Sequence, residues 1–365
     1  MDISIIPLRE NELKPLYTNP DELGFGRVFT DHMFTMQYTQ EQGWFAPTIK
    51  KYENLSLDPA TLVLHYGQEI FEGMKAFAGA NDQVIMFRPE ENVRRFNNSA
   101  RRMCMPEVDA EMFMQALQQL ISLDSRWIPR KRGAALYIRP TMIATEVGLG
   151  VRPSRSYLFY IILSPVGPYF KEGFKPVRLY VMDKYVRAVE GGVGEAKTGG
   201  NYAASLLAKS EAQRKGLNEV LWLDAREHLY VEEVGAMNIF FVINGVVTTP
   251  ILDGAILHGI TRKSVLQLAR HLGYEVSERR ISIHELTEGI QSGTVSEVFG
   301  AGTAASIAPV GTIMYKDQSL TVNGGDVGPV ARKLYNELQA IQYGEKDDPF
   351  DWNTTINLGH LESRV

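Results

Sequence analysis

Two hydrophobic periodicities alternate along the chain. Short runs rich in Val, Ile, Leu, Phe and Tyr predict strands at Met74–Phe77, Gln83–Phe87, Ala134–Ala144 and Ser156–Pro165, and over part of Asp21–Gln40. The first two flank Gly79-Ala80-Asn81-Asp82 and predict a β-hairpin. Helical spacing follows. Pro89 opens a helix in which Val93, Phe96 and Ala100 share a face, and Asp109–Leu123 repeats the pattern with Phe113, Leu117, Leu120 and Ile121. In the second half, strands are predicted at Val177–Met182, Glu219–Asp224, Asn238–Val247, Val295–Phe299 and Ile307–Ile313. Helices are predicted at Asn201–Lys215, from Gly259 to Leu272, at His284–Ser292 and at Val327–Tyr343. The periodicity lapses between Ser164 and Lys175, where two prolines and two glycines fall. The pattern predicts a smaller N-terminal domain (1–164), a linker (165–176) and a larger C-terminal domain (177–365). Strands and helices mix in both halves without strict βαβ alternation. This predicts two α/β (α+β) domains rather than a TIM barrel or one doubly wound sheet.

Composition narrows the classes. The 365 residues suit about two domains, and 44% hydrophobic with 22% charged residues excludes a disordered chain, a collagen or a coiled-coil rod. The net charge of −5, without a basic block, argues against nucleic acid and anionic membrane as partners. One cysteine, Cys104, permits no internal disulfide and no Cys-based metal cage, and suits a reducing compartment. The seven histidines show no zinc-type spacing, so no metal is expected. Met1–Asn19 lacks the apolar core of about 7–15 residues that a secretory signal needs. No run approaches the roughly 20 apolar residues of a membrane span, so a soluble, cytoplasmic protein is expected.

The segment richest in chemistry is Gly191-Gly-Val-Gly-Glu-Ala-Lys-Thr-Gly-Gly-Asn-Tyr202, which sets Lys197 among glycines just before a helix. Glycines admit a ligand close to the backbone, and a helix N-terminus offers donors to an anion. One reading is a nucleotide phosphate loop. It falls one residue short, because Ala196 stands where the pattern requires Gly, although Val220–Asp224 imitates a strand-borne magnesium aspartate. The other is a lysine that forms an imine with pyridoxal phosphate. That chemistry needs a carboxylate for the pyridine nitrogen, a donor for the ring oxygen, and cations and hydroxyls for the phosphate. Candidates exist in Glu232 and Glu233, Tyr202, Gly259-Ile-Thr-Arg262, Gly300-Ala-Gly-Thr303, Arg94 and Arg95. No one of them is specific, and a solvated loop lysine is the commonest meaning of such a segment.

Several motifs in register are more specific. Gly191–Ser205, Glu233-Val-Gly, Gly259–Arg262, Phe299-Gly-Ala-Gly-Thr-Ala304, Phe71-Glu-Gly-Met-Lys-Ala-Phe77, Phe87-Arg-Pro89, Leu136-Tyr-Ile-Arg-Pro140 and Ile341-Gln-Tyr-Gly344 together resemble the branched-chain-amino-acid aminotransferases. The likeness runs from about Phe25 to Gly344, in the family's order. It implies a two-domain fold-type IV enzyme that holds pyridoxal 5′-phosphate in the interdomain cleft.

The resemblance also implies roles by position. Lys197 matches the Schiff-base lysine and proton carrier, Glu233 the partner of the pyridinium nitrogen, and Tyr202 the phenol on the ring oxygen. Arg95, Ile260, Thr261 and Thr303 match the phosphate cup. Tyr66, Phe71, Tyr137 and Tyr169, with Phe25, match aromatic walls of the substrate pocket. Arg139 matches the group that meets glutamate's distal carboxylate, and Gly302, Thr303 and Ala304 the loop that takes the α-carboxylate. The implied reaction passes amino groups from leucine, isoleucine or valine to 2-oxoglutarate in two half-reactions. The implied assembly is a homodimer in which the neighbour's loop near Gly148–Val151 closes the pocket. Two departures stand out. Ala305 and Ala308 occupy the places of the mammalian Cys-x-x-Cys pair, which removes any thiol switch, and Ala236 replaces a threonine.

Overall fold

The computed structural model describes residues 1–79, 83–168, 174–356 and 358. The chain divides into two compact units. One comprises Met1–Lys171, Ala196–Gly199 and Ala340–Val365, the other Glu172–Glu195 and Gly200–Gln339.

The first unit is built on one sheet. Its strands are β1 (Ser4–Ile5), β2 (His32–Thr39), β3 (Gly43–Lys51), β4 (Glu69–Phe71), β5 (Met74–Ala78), β6 (Val84–Phe87), β7 (Ala135–Ala144) and β8 (Ser156–Val166). They lie in the order β1-β3-β2-β8-β7-β5-β6, with β4, which follows the short helix α1 (Leu62–Tyr66), also on β7 and a late strand, Asn353–Ile356, on β6. Alternation gives the sheet two unlike faces. Ile70, Met74, Ala76, Leu136, Ile138, Met142, Phe159 and Ile161 pack with Val93 and Phe96 of α2 (Pro89–Arg102) and Phe113 and Leu117 of α3 (Ala110–Leu123). The intervening positions put aromatic and polar side chains in register on the opposite face. Phe71 pairs Thr141, which pairs Tyr160, and Lys75 pairs Tyr137, which pairs Ser164.

The second unit contains a closed ring of strands. β9 (Val177–Met182), β10 (Glu219–Leu223), β11 (Val231–Val234), β12 (Met237–Ile243), β15 (Val295–Gly302) and β16 (Ser306–Tyr315) form the ring, and β11–β12 pairing closes it. β13 (Val246–Thr249), β14 (Val276–Glu278) and β17 (Gln318–Thr321) extend it. Leu179, Val181, Leu221, Leu223, Ile239 and Phe241 share one core cluster. The alternate residues Met182, Val220 and Trp222 pack with Ala208 and Ala212 of α5 (Leu206–Arg214).

Most predicted elements are present, and the departures have local causes. The helix expected over Asn201–Lys215 is two, α4 (Gly199–Ala203) and α5, because the Ser205 hydroxyl takes the Tyr202 carbonyl at 2.7 Å. The strand expected over Asn238–Val247 is a hairpin of β12 and β13. Asn244 and Gly245, at φ 50° and 81°, make its two-residue turn. β3 escapes prediction because Gly43 and Pro47 are poor strand formers and a bulge at Ala46, at φ 50°, interrupts its alternation. The expected hairpin of β5 and β6 pairs as predicted, and its residues 80–82 lie outside the described residues. The chain's last segment and the Lys197 loop, both expected with the C-terminal domain, belong with the first unit by their contacts.

Candidate active site

Lys197 is fixed by its backbone. Its N–H donates to Ser99 Oγ on α2 at 2.9 Å, and its carbonyl accepts from Phe71 N–H at 3.0 Å. The next residue, Thr198, donates its hydroxyl to the Glu69 carbonyl at 2.7 Å, and Gly199 N–H donates to the Glu69 carboxylate. The loop is thus held against β4, with Lys197 Nζ 4.9 Å from the centre of the Phe71 ring. Arg139 approaches the same ring at 4.6 Å and donates from Nη2 to Tyr137 Oη at 2.9 Å. Arg139 Nε is buried without a hydrogen-bond partner. Phe25 meets Tyr137 edge-on at 4.8 Å. Tyr137 Oη lies where a Cβ on Gly73 would sit, 2.0 Å away, so only glycine fits in the Phe71-Glu-Gly-Met segment.

Arg95 faces the same unit through Glu72. Nε and Nη2 of the guanidinium meet Oε1 and Oε2 at 2.7 and 2.9 Å in a bidentate pair. Glu72 is fully buried and also accepts from Asn92 at 2.8 Å and from Gly73 N–H at 3.1 Å. Burial drives the Glu72 carboxyl up, but the charge and hydrogen bonds of Arg95, with the Lys197 charge behind them, hold it below the usual carboxylate range. Of the other predicted wall residues, Tyr66 is exposed and bonded to the Leu149 carbonyl, and Tyr169 lies outside the described residues.

In the second unit, Tyr202 and Glu233 line one small pocket with Arg187, Asn201, Ser205 and Ala236. A bulge sets the glutamate. Leu221 and Leu223 of β10 pair Val234 and Val231 of β11, so Glu232 and Glu233 together oppose Trp222. Both valines join the barrel core. Glu233 Oε2 lies 2.6 Å from Arg187 Nε, an ion pair whose N–H lacks hydrogen-bond alignment. Oε1 accepts from Asn238 at 3.0 Å.

Asn238 ties the pocket to two further candidate segments. It also donates to the Leu257 carbonyl at 3.0 Å, and its Oδ1 would lie 1.8 Å from a Cβ on Gly259. Gly259 precedes α6 (Ile260–His271), and no side chain caps the amides there, where Ile260 and Thr261 stand. In register, Asn238 pairs Ala301 on β15, whose end at Gly302 leads into the turn carrying Thr303 and Ala304. Asp224, the magnesium candidate of the phosphate-loop reading, accepts instead from the backbone amides of Arg226, Glu227, Leu229 and Tyr230.

Sequence reasoning missed Glu72, Asn238, Arg187, Lys75 and Tyr160. Lys75 and Tyr160 stand on the aromatic and polar face of the first sheet. Burial lowers the Lys75 amine to about 8 and raises the Tyr160 phenol. Strand alternation through Tyr137 and Thr141 was the available signal for that pair. For Arg187 nothing in the local sequence carried one.

A lysine amine, a buried carboxylate, a phenol and an uncapped helix N-terminus are the groups of a class IV aminotransferase. The amino-transferase class IV family model matches residues 69–313. Branched-chain-amino-acid aminotransferase 2 of Bacillus subtilis (strain 168) is 52% identical over 338 residues, covering 93% of each chain. The T.th. branched-chain amino acid aminotransferase crystallised with pyridoxamine 5′-phosphate superposes with a TM-score of 0.75 at 30% identity, covering 88% of this chain and 98% of that one. The branched-chain amino acid aminotransferase from Escherichia coli gives 0.72 at 29% identity, covering 90% of this chain and 99% of that one. The chain belongs to the class IV amino-transferases, in their branched-chain-amino-acid aminotransferase family. The resemblance stated from its motifs, and the fold-type IV architecture that follows, are both borne out.

Proposed function

We propose that this chain transfers amino groups between the branched-chain L-amino acids leucine, isoleucine and valine and 2-oxoglutarate, with pyridoxal 5′-phosphate as cofactor. The observation that carries the reading is the pair of cationic groups on one aromatic ring: Lys197 Nζ and the Arg139 guanidinium both stand over Phe71. An amine is thereby set beside an apolar wall that also holds a carboxylate receptor. The donor set fits a phosphorylated pyridine aldehyde. Lys197 offers the amine, Glu233 a carboxylate for the ring nitrogen, and Tyr202 a phenol for the ring oxygen. Arg95, Thr261, Thr303 and the first amides of α6 offer donors for a phosphate. The bound cofactor supplies an aldehyde carbon for the amino nitrogen and an electron-poor ring that draws charge from the α-carbon.

The chain's own residues do the rest. Lys197 Nζ takes the substrate's α-proton and gives one back, positioned by backbone bonds that do not involve its side chain. Phe71, Tyr137 and Phe25 offer the apolar surface for a branched side chain. Gly302, Thr303 and Ala304 offer backbone amides to the α-carboxylate. Arg139, its Nη2 anchored on Tyr137, receives the distal carboxylate of 2-oxoglutarate. The three branched substrates differ by about one methylene or its placement, worth roughly 1–3 kcal/mol in an apolar pocket. A donor panel with 2-oxoglutarate tests this. All three should yield glutamate, with kcat/KM values within about 200-fold of one another. Arg139→Met should depress the 2-oxoglutarate half-reaction more than the leucine one. Absence of glutamate from all three donors would end the proposal.

Gly259→Ala probes the cofactor carboxylate indirectly. The added methyl displaces Asn238 and removes its hydrogen bond to Glu233. A bond to a charged group is worth about 1.5–3 kcal/mol, so cofactor affinity should fall about 10- to 100-fold by equilibrium dialysis. Parent-like affinity would show that Asn238 does not hold Glu233 in place.

We further propose a cytoplasmic homodimer. Val147, Leu149 and Val151, at 57%, 65% and 82% exposure, form the kind of apolar loop that a second copy would cover. Among the described residues, no helix is long and apolar enough to cross a membrane.

A further inference from the structure

Glu232 and Glu233 are adjacent and both are buried, at 4% and 3% exposure. The bulge in β11 makes this possible, because the flanking valines fill the barrel and leave both glutamates opposite Trp222. Two ionised carboxyls there would each lose hydration and repel the other. Glu233 has Arg187 at 2.6 Å and Asn238 at 3.0 Å. Glu232 Oε2 is buried with no hydrogen-bond partner. Arg187 is the cation that acts on Glu232 as well.

We propose that Glu232 is a positioning residue for Glu233: a second buried carboxyl that leaves Arg187 to Glu233 when neutral and contends for it when charged. The inference rests on Glu233 being the carboxylate that meets the pyridine nitrogen. Burial, then Asp253, then Glu233 and Asp224 push the Glu232 carboxyl up against the pull of Arg187, to about 8. Asp253 has Arg280 Nη2 at 3.9 Å, and Asp224 is engaged by backbone amides. At neutral pH Glu232 is therefore an acid group beside an ion pair. In alkaline solution it becomes an anion adjacent in the chain to Glu233, which draws Arg187 from Glu233 and alters the field on the ring nitrogen.

Between the ordinary Glu232 value of 4.5 and about 8, the folded chain keeps a proton that the unfolded chain has lost. Stability therefore declines as pH rises through that window and levels off above it. The test compares the full-length chain with Glu232→Gln, both as holoenzyme and after cofactor removal. In the cofactor-free chain, the thermal midpoint of Glu232→Gln relative to the parent should climb by a few degrees from pH 5 to 8, then stay level. In the holoenzyme, the parent's visible band should shift with pH near 8, and that step should vanish in Glu232→Gln. A pH-independent midpoint difference would overturn the neutral acid. An alkaline step in the visible band that persists in Glu232→Gln would overturn the coupling to Glu233. If Glu232→Gln does not fold, Glu232→Thr, β-branched and so suited to a strand, carries the same expectations. A holoenzyme with no visible band in any variant would instead sink the cofactor reading, and the midpoint comparison would still stand.

Discussion

Lys197→Ala is expected to abolish transamination while leaving the fold intact. The bonds that place residue 197 run through its N–H to Ser99 and its carbonyl to Phe71, and both survive loss of the side chain. What disappears is Nζ. Proton transfer by a positioned base contributes about 10²–10⁴-fold by itself, and loss of the covalent hold on the cofactor adds to that. Borohydride reduction followed by peptide mapping should tag residue 197 in the parent and nothing in the variant. The far-ultraviolet spectra of the cofactor-free chains should coincide, and the thermal midpoint should move by only a few degrees, since the Lys197 charge also acts on buried Glu72. A tag on another residue, or turnover in the variant within tenfold of the parent, would refute the assignment.

Glu72→Gln is expected to be the most damaging substitution outside the reacting groups. The carboxylate is fully buried and shared among Arg95, Asn92 and the Gly73 amide. Its neutral isostere leaves the Arg95 guanidinium buried with half of its bidentate partner. Breaking such a pair from one side costs about 3–5 kcal/mol. Arg95 should also lose its orientation, so phosphate-bearing ligands should bind more weakly as stability falls. The pH dependence separates a charge effect from a packing one. The folded Glu72 carboxyl sits below its ordinary value of 4.5. Its contribution is therefore complete above about 4.5 and is lost as pH falls toward the folded value. The thermal midpoints of parent and Glu72→Gln should differ fully at pH 7 and converge in acid. A gap that stays constant down to pH 3 would show that shape rather than charge is at issue.

Much of this was legible in the sequence, for physical reasons that differ by element. Helices α2 and α3 announce themselves because a single apolar stripe must face the sheet. The turn at Asn244-Gly245 is equally legible by its residue types, yet it hides within a longer apolar run. β3 was not legible: the positions that make it a strand are set by β2 on one side and β1 on the other. At the candidate site, a motif marks residues by kind and spacing, so it singles out Arg95 but not the buried anion that orients it. Glu72 lies within the Phe71–Phe77 segment and still carried no signal, because its meaning depends on Arg95 and Asn92 in the helix beyond the hairpin of β5 and β6. Arg187 and Asn238 reach Glu233 from a loop and from a strand, a convergence only the folded chain displays.

The first unit is assembled from three stretches of chain, and its outer strand comes last. Asn353–Ile356 lies along β6, the Arg88 N–H donates to the Trp352 carbonyl at 2.6 Å, and Trp352 packs edge-on against Phe87 at 5.5 Å. Tyr343 bonds back to the Ala134 carbonyl at 2.8 Å. A nascent polypeptide therefore carries β6 as an unprotected sheet margin until the whole second unit has been synthesised, and the first unit is sealed only once Asn353–Ile356 has followed.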